Sequence, residues 1–323
     1  MKIPASVRRI YDNQEEICKQ LKTRVDSLIK PRLHDRWHYE SRIKSIESFT
    51  LKVESGRFNN PAALEDFFAA TIVVRNGSEI AVAETLAKDL FILDSRRPES
   101  DSHTKKPPEA FPFDDLRLYL RWKDASALPP TGLDGVLFEI QVKTFLQHAW
   151  SIATHDLVYK SDDASWSKMR IAYQIKAMLE HAEISIQEAV KLSTSEALAK
   201  SDERTTTLKT FIVLVNEVWD KEHLPSNIRR LAENIMTLAK LVQLDVSGMR
   251  SLLEEEKAEG RGPLISNLSP YGTVVQTLLV RKTSELDAAL KKKQRTAIVI
   301  PAEVTLPAGV DPGAWSQSAV FIK

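Results

Sequence analysis

Glu139-Ile140-Gln141-Val142-Lys143-Thr144 alternates polar and apolar residues without a break. In an extended strand successive side chains point to opposite faces, so Glu139, Gln141 and Lys143 share one face and Ile140 and Val142 the other. An acid, an amide and an ammonium in a row over a buried face suit either the solvated side of an edge strand or the floor of a polar site. Working outward, Gly135–Thr144 reads as the return arm of a β-hairpin. The first arm is Asp115–Trp122, which also alternates, and Pro129, Pro130, Gly132, Asp134 and Gly135 supply the turn between them. From Phe145 the pattern becomes helical almost to Lys293.

Further upstream, Phe67–Val74 is a continuous apolar run of strand length, which suits a strand buried on both faces. Asp66 stands at its mouth. Arg42–Lys52 reads as a short strand entering a helix, and residues 5–30 carry Val7, Ile10, Ile17, Leu21, Val25 and Leu28 at helical spacing up to Pro31. Ser78–Phe91 reads as a helix capped by Ser78, and residues 94–112, rich in proline, serine and lysine, as a loop. The expected fold class is α+β: a mixed β-sheet flanked by helices, followed by an all-α C-terminal domain. Serines and threonines interrupt the helical period near 196–206, which divides the chain into domains of residues 1–200 and 201–323. The tail holds two short β-like pieces, Thr296–Ile300 and Ser318–Ile322.

Net charge is +1, so no global field points to nucleic acid and any anion site must be local. A lone cysteine, Cys18, rules out an internal disulfide and cysteine-rich metal cages. Met1–Ile10 has no apolar signal core, and the apolar runs fall far short of the roughly 20 residues that span a bilayer. No membrane association is expected, and the cytoplasm is the expected compartment.

Three stretches carry chemistry. Asp66 and Glu139 come from different strands; if those strands are neighbours, two carboxylates converge at one sheet end, where they would hold a divalent cation and activate a hydroxyl. Arg42, Lys44, Ser48 and Lys52 line up around a helix start, with Ser48 and Lys52 on one helix face, as a phosphate cradle without a glycine-rich loop. Alone, each stretch also suits a cap or a solvated surface. In order, and followed by His148-Ala149-Trp150, His155 and Tyr159-Lys160, they resemble the RelA/SpoT family of nucleotide pyrophosphokinases over residues 36–160. The resemblance implies a nucleotidyltransferase-like fold and transfer of pyrophosphate from ATP to a 3′-hydroxyl, with Mg²⁺ as cofactor. It implies that Arg42, Lys44, Ser48 and Lys52 hold the ATP phosphates, that Asp66 ligates Mg²⁺, and that Glu139 is the general base, with a share in the metal. Gln141 and Lys143 would line the acceptor side.

The pattern departs from the family in two places. Five residues after Asp66, where the family has an arginine against the adenine, stands Thr71; Arg75, on the same strand face, is the expected substitute. The family's acceptor motif, glycine-tyrosine to histidine, is matched by Pro112–Arg117, so Phe113 would stack on the acceptor base and Arg117 replaces the histidine. The acceptor is therefore open: a guanosine nucleotide, an adenosine nucleotide, or the 3′ end of tRNA. A reading from a different class is a degenerate synthetase fold that senses a nucleotide or a protein. The hydrolase half of long family members has no counterpart, and His148 and His155 read as structural histidines.

Residues 206–323 carry two apolar stripes, Leu208, Phe211, Ile212, Val215 and Val218, and Ile228, Leu231, Ile235 and Leu238, the second after a Ser226 cap. They either pack on each other as a bundle or serve regulation, by recruiting a regulatory protein or covering the catalytic cleft. Glu254–Lys257 with Gly260-Arg261-Gly262-Pro263 is the expected hinge.

Overall fold

The computed structural model describes residues 1–323 except 57–59, 62–63, 102–110, 112, 114, 125–131, 155–164, 265–266, 293–296 and 323. The chain forms two compact units, Met1–Leu198 and Ala199–Lys323.

Unit 1 opens with helix α1 (Ala5–Ile29), which buries Tyr11, Cys18, Leu21, Val25 and Ile29 along one stripe. A proline cannot continue an α-helix past its first turn, and α1 gives way to a 3₁₀ turn at Pro31. There follow β1 (His38–Ile43), α2 (Ile46–Glu54), β2 (Phe68–Val74), α3 (Ile80–Leu90), β3 (Ile92–Arg97), β4 (Leu116–Arg121), β5 (Leu137–Thr144), α4 (Phe145–Ala153) and α5 (Trp166–Gln187). The strands make one five-stranded mixed sheet in the order β1-β2-β5-β4-β3. The two central strands, β2 and β5, are parallel, and all other pairs are antiparallel. As a central strand, β2 is buried at every position but Thr71, which is why it reads as a nearly continuous apolar run. Phe68, Ala70, Ile72, Phe138, Ile140, Val142, Leu118 and Leu120 form the core with α1 and α3.

Three local expectations need correction. The strand ahead of α2 begins at His38, before Arg42. Residues 92–97 are a strand, not the beginning of a loop; as an edge strand β3 needs only one partner, and its Asp94-Ser95-Arg96-Arg97 run hides the strand period. Asn76, not Ser78, caps the turn into α3: its Oδ1 accepts from Ser78 N at 3.1 Å. The turn residues Pro129 and Pro130 lie outside the described residues, but Gly132 and Gly135 hold the left-handed φ of 74° and 75° that the turn demands.

Unit 1 closes with the short helix α6 (Ala189–Ser193). Unit 2 is mainly helical, with α7 (Glu203–Val218), α8 (Ile228–Leu241), α9 (Val246–Ala258), α10 (Pro270–Arg281) and α11 (Thr283–Leu290). The two tail pieces pair as a parallel ribbon, β6 (Ile298–Ile300) and β7 (Ala319–Phe321), so this unit is not purely helical. Its apolar stripes are buried within the unit: Leu208, Phe211, Val215, Leu231, Ile235 and Leu238 share a core with Trp315. Asn227 rather than Ser226 caps α8, accepting from Arg230 N at 3.0 Å. The expected hinge is clamped. Glu256, its side chain 2% exposed, takes a bidentate pair from Arg261 at 2.9 and 3.0 Å and a further bond from Arg281 at 2.5 Å. Paired hydrogen bonds of this kind fix geometry as well as charge.

Candidate active site

The alternation read in β5 runs across the sheet. Residues in register on neighbouring strands share a face, so Arg42, Ala69, Glu139 and Tyr119 form one row and Glu40, Thr71, Gln141 and Arg117 the next. A third row starts with His38, Val73 and Lys143. The edge strand adds Ser95 beside Tyr119 and Arg97 beside Arg117. The opposite face of the same strands is the apolar core. One sheet thus has a greasy side under two helices and a side lined with acids, bases and amides.

Glu139 sits in the middle of the first row and is 3% exposed. Gln141 donates its side-chain amide to the Glu139 carboxylate. On one flank is Tyr119; burial and then the Glu139 charge push its hydroxyl up to about 12, and Arg97 lies 4.8 Å over its ring. On the other flank stands Ala69, with Arg42 beyond it. Strands lie about 4.8 Å apart, so the Arg42 and Glu139 backbones are about 10 Å apart, with only a methyl group between them. Ala69 and Thr71 are therefore the floor of a slot walled by Arg42 and Glu40 on one side and Glu139 and Gln141 on the other.

The second part of the site lies where β2 and β5 begin. Asp66 precedes by three residues the Ala69 that pairs with Glu139. One of its oxygens meets Lys52 Nζ at 2.7 Å and the other Lys44 Nζ at 3.0 Å. Lys44 is held by the sheet, its N–H donating to Phe67 O at 2.8 Å, while Lys52 projects from α2. Burial opposes the Asp66 charge, but the hydrogen bond from Lys52 and the charge of Lys44 outweigh it and hold the carboxyl below its usual range. Ser45 caps α2 by accepting from Ser48 N at 3.3 Å, and its hydroxyl donates to Ser48 Oγ at 3.0 Å. The cradle residues Lys44, Ser48 and Lys52 are thus grouped around one helix start, and Asp66 neutralises the two lysines. Asp66, 24% exposed, and Glu139 are oxygen donors of the class a hard cation takes, so the donor set fits Mg²⁺. Asp66 would serve it once phosphate oxygens take over the two lysines.

On the acceptor side, burial works against the Arg117 charge, but Asp115 and Glu139 beside it hold the guanidinium above its ordinary range. Lys143 is lowered, first by burial and then by Arg117 and Arg42, and is offset by Asp115, whose oxygen is 3.9 Å away. Phe113 is 5% exposed, so its ring offers no open platform. Arg75 is not brought to the other site residues. It follows the far end of β2 and forms an ion pair with Glu79, which also accepts from Trp37 Nε1 at 2.9 Å. Trp150 donates to Ala172 O at 3.0 Å and ties α4 to α5; His155, Tyr159 and Lys160 lie outside the described residues. Glu40, Tyr119, Asp115 and Arg97 belong to the polar face although no motif marked them. The alternation Asp115-Arg117-Tyr119 carries the signal for two of them; Arg97 lies in the polar stretch that reads as a loop in the sequence.

Residues 41–164 match the model of the region found in RelA / SpoT proteins, so this part of the chain is a RelA/SpoT-type domain; the match takes in every site residue above except His38 and Glu40. Among solved structures, small alarmone synthetase 1 from Bacillus subtilis bound to its product pppGpp is similar at 15% identity and TM-score 0.43, over 59% of this chain and 100% of that one. Small alarmone synthetase 2 from the same organism matches at 17% identity and TM-score 0.45, over 56% of this chain and 98% of that one. A GTP pyrophosphokinase family protein from Streptococcus pneumoniae matches at 19% identity and TM-score 0.42, over 62% of this chain and 100% of that one. A search of curated proteins gave no significant match.

Proposed function

We propose that the RelA/SpoT-type domain of this chain is a nucleotide pyrophosphokinase that moves the β,γ-pyrophosphate of ATP to the 3′-hydroxyl of a second nucleotide or of a tRNA 3′ end. The observation that carries this reading is the buried carboxylate of Glu139 in the row Arg42–Ala69–Glu139–Tyr119, at the sheet end where Lys44 and Lys52 meet on Asp66.

Arg42, Lys44, Ser48 and Lys52 bind the triphosphate, and Asp66 with Glu139 would hold Mg²⁺. When bound, the ion neutralises phosphate charge and favours the ionised acceptor oxygen. Arg117, Gln141 and Lys143 orient the acceptor along the second and third rows, with its 3′-hydroxyl toward Glu139. The acceptor oxygen bonds to the β-phosphorus of ATP, the bond from that phosphorus to the α,β-bridging oxygen breaks, AMP leaves, and Glu139 takes the hydroxyl proton. Burial keeps water from Glu139, which favours the nucleotide hydroxyl over water as acceptor. Such a transfer rests on positioning and charge neutralisation, which the polar face supplies.

The test is incubation of the full chain with γ-labelled ATP and, separately, GDP, GTP, ADP, ATP and deacylated tRNA. Label is expected on one acceptor class, with AMP released in equal amount, and Glu139→Gln should abolish it. No transfer to any acceptor, with ATP binding intact, would assign the domain to nucleotide sensing instead.

A further inference from the structure

The end of the polar face away from Asp66 holds a cluster that the proposed reaction does not use. His38 and Glu40 are two residues apart on β1 and both exposed, so their side chains stand on the same face. His148 comes from the first turns of α4. One donor atom from each of the three lies within 4.8 Å of the other two, and the His38 and His148 ring centroids are 5.9 Å apart. Among the described residues no other three histidine, cysteine or acidic side chains bring donors this close. His148 Nδ1 is shut off from solvent and has no hydrogen-bond partner among the described residues. A buried imidazole nitrogen without a partner carries a desolvation cost that a bound ion would relieve.

We infer that His38, Glu40 and His148 bind one late divalent transition-metal ion, Zn²⁺ foremost, at a site distinct from the Asp66–Glu139 pair. Two imidazoles and a carboxylate form a zinc donor set and leave one coordination position open. Imidazole donors also disfavour Mg²⁺, which prefers oxygen. Metal–ligand bonds of about 2.0–2.1 Å put tetrahedral donors about 3.4 Å apart, so the three must close inward. His38 and Glu40 can do so because they are exposed on an edge strand. His148 is the fixed ligand, since Thr144 Oγ1 accepts from Gln147 N at 3.2 Å and Gln147 Oε1 from Thr144 N at 2.9 Å, anchoring the start of α4. Lys143, the nearby cation, is turned to Asp115. A bound ion would join β1 to α4 across β2.

The experiment is a titration of the chelator-treated full chain with Co²⁺, followed by visible d–d absorption and then Zn²⁺ displacement. The expected result is one Co²⁺ per chain, displaced by Zn²⁺ and retained in millimolar Mg²⁺. His38→Ala and His148→Ala should each weaken binding by about tenfold or more, Glu40→Gln less. Circular dichroism checks folding; if His148→Ala unfolds, His38→Ala reads the same site from an exposed position. No binding by the parent chain, displacement by Mg²⁺, or unchanged affinity in His38→Ala would overturn the inference. None of these readouts needs pyrophosphate transfer, so the two readings succeed or fail separately.

Discussion

The two faces of the five-stranded sheet are built from the same strands, residue by alternate residue, yet they obey different rules. On the covered face, Phe68, Ile72, Phe138, Ile140 and Leu118 are held by close packing, and aromatic pairs such as Phe91 and Phe138 cross at 90°. On the other face, Arg42, Glu139, Arg117 and Lys143 are placed by register, and the carboxylates Asp115 and Glu139 offset the burial and mutual repulsion of the cations. Under the proposed function, neighbouring positions such as Glu139 and Ile140 therefore divide the labour: one answers for chemistry and the next for stability.

That division can be broken most sharply at this pair. Glu139→Gln is expected to lower pyrophosphate transfer about 10²–10⁴-fold, as loss of a general base does, with ATP affinity and unfolding midpoint little changed. Isothermal binding and denaturant melts check the last two, and a matching loss of stability would erase the distinction between the faces. Ile140→Ala should do the reverse, costing about 2–5 kcal/mol in denaturant unfolding through the cavity it leaves, while the folded fraction keeps its turnover.

Smaller effects are expected at the cradle. Lys44→Ala and Lys52→Ala should each weaken ATP binding by about tenfold, and the deficit should shrink as salt is raised, because charge–phosphate contacts are screened. Parental affinity in both variants would place the phosphates elsewhere. Asp66 adds a pH signature. Its carboxyl is depressed in the folded chain, so its stabilisation is complete above the ordinary carboxylate value of about 3.9 and is lost as pH falls through the lower folded value. The stability gap between the parent chain and Asp66→Asn should accordingly close on acidification below about pH 4, and a gap that widens there would contradict the Lys44–Asp66–Lys52 arrangement. The smallest effect belongs to Arg75→Ala. Its partner Glu79 is local and Arg75 itself is exposed, so ATP affinity should stay within about twofold; a larger loss would restore Arg75 as an adenine clamp.

The central strands were legible in the sequence because burial leaves a pattern: β2 as an unbroken apolar run and β5 as strict alternation. The α2 cradle was legible because Ser48 and Lys52 are one helical turn apart. What stayed hidden was set by partners distant along the chain. β3 takes its strand geometry from pairing with β4, and its polar residues carry little period of their own. Tyr119 joins the site only because β4 lies beside β5. Phe113 could be read as a π-face, but its burial depends on packing that no local pattern encodes. The trio His38, Glu40 and His148 has no motif at all; one strand and one helix far apart in sequence meet only after the sheet has formed.

The junction between β5 and α4 has a mechanical consequence. Thr144 is at once the last residue of the strand and the cap of the helix, so no loop separates them. The strand that carries Glu139 and the helix that carries His148 and Trp150 behave as one bent rod without slack. A push on α4 from α5, to which the Trp150 hydrogen bond fastens it, would meet no loop that could absorb it before the strand face of Glu139, Gln141 and Lys143. A designer wishing to uncouple the polar strand face from that outer helix would have to insert residues at this junction, because the chain provides none.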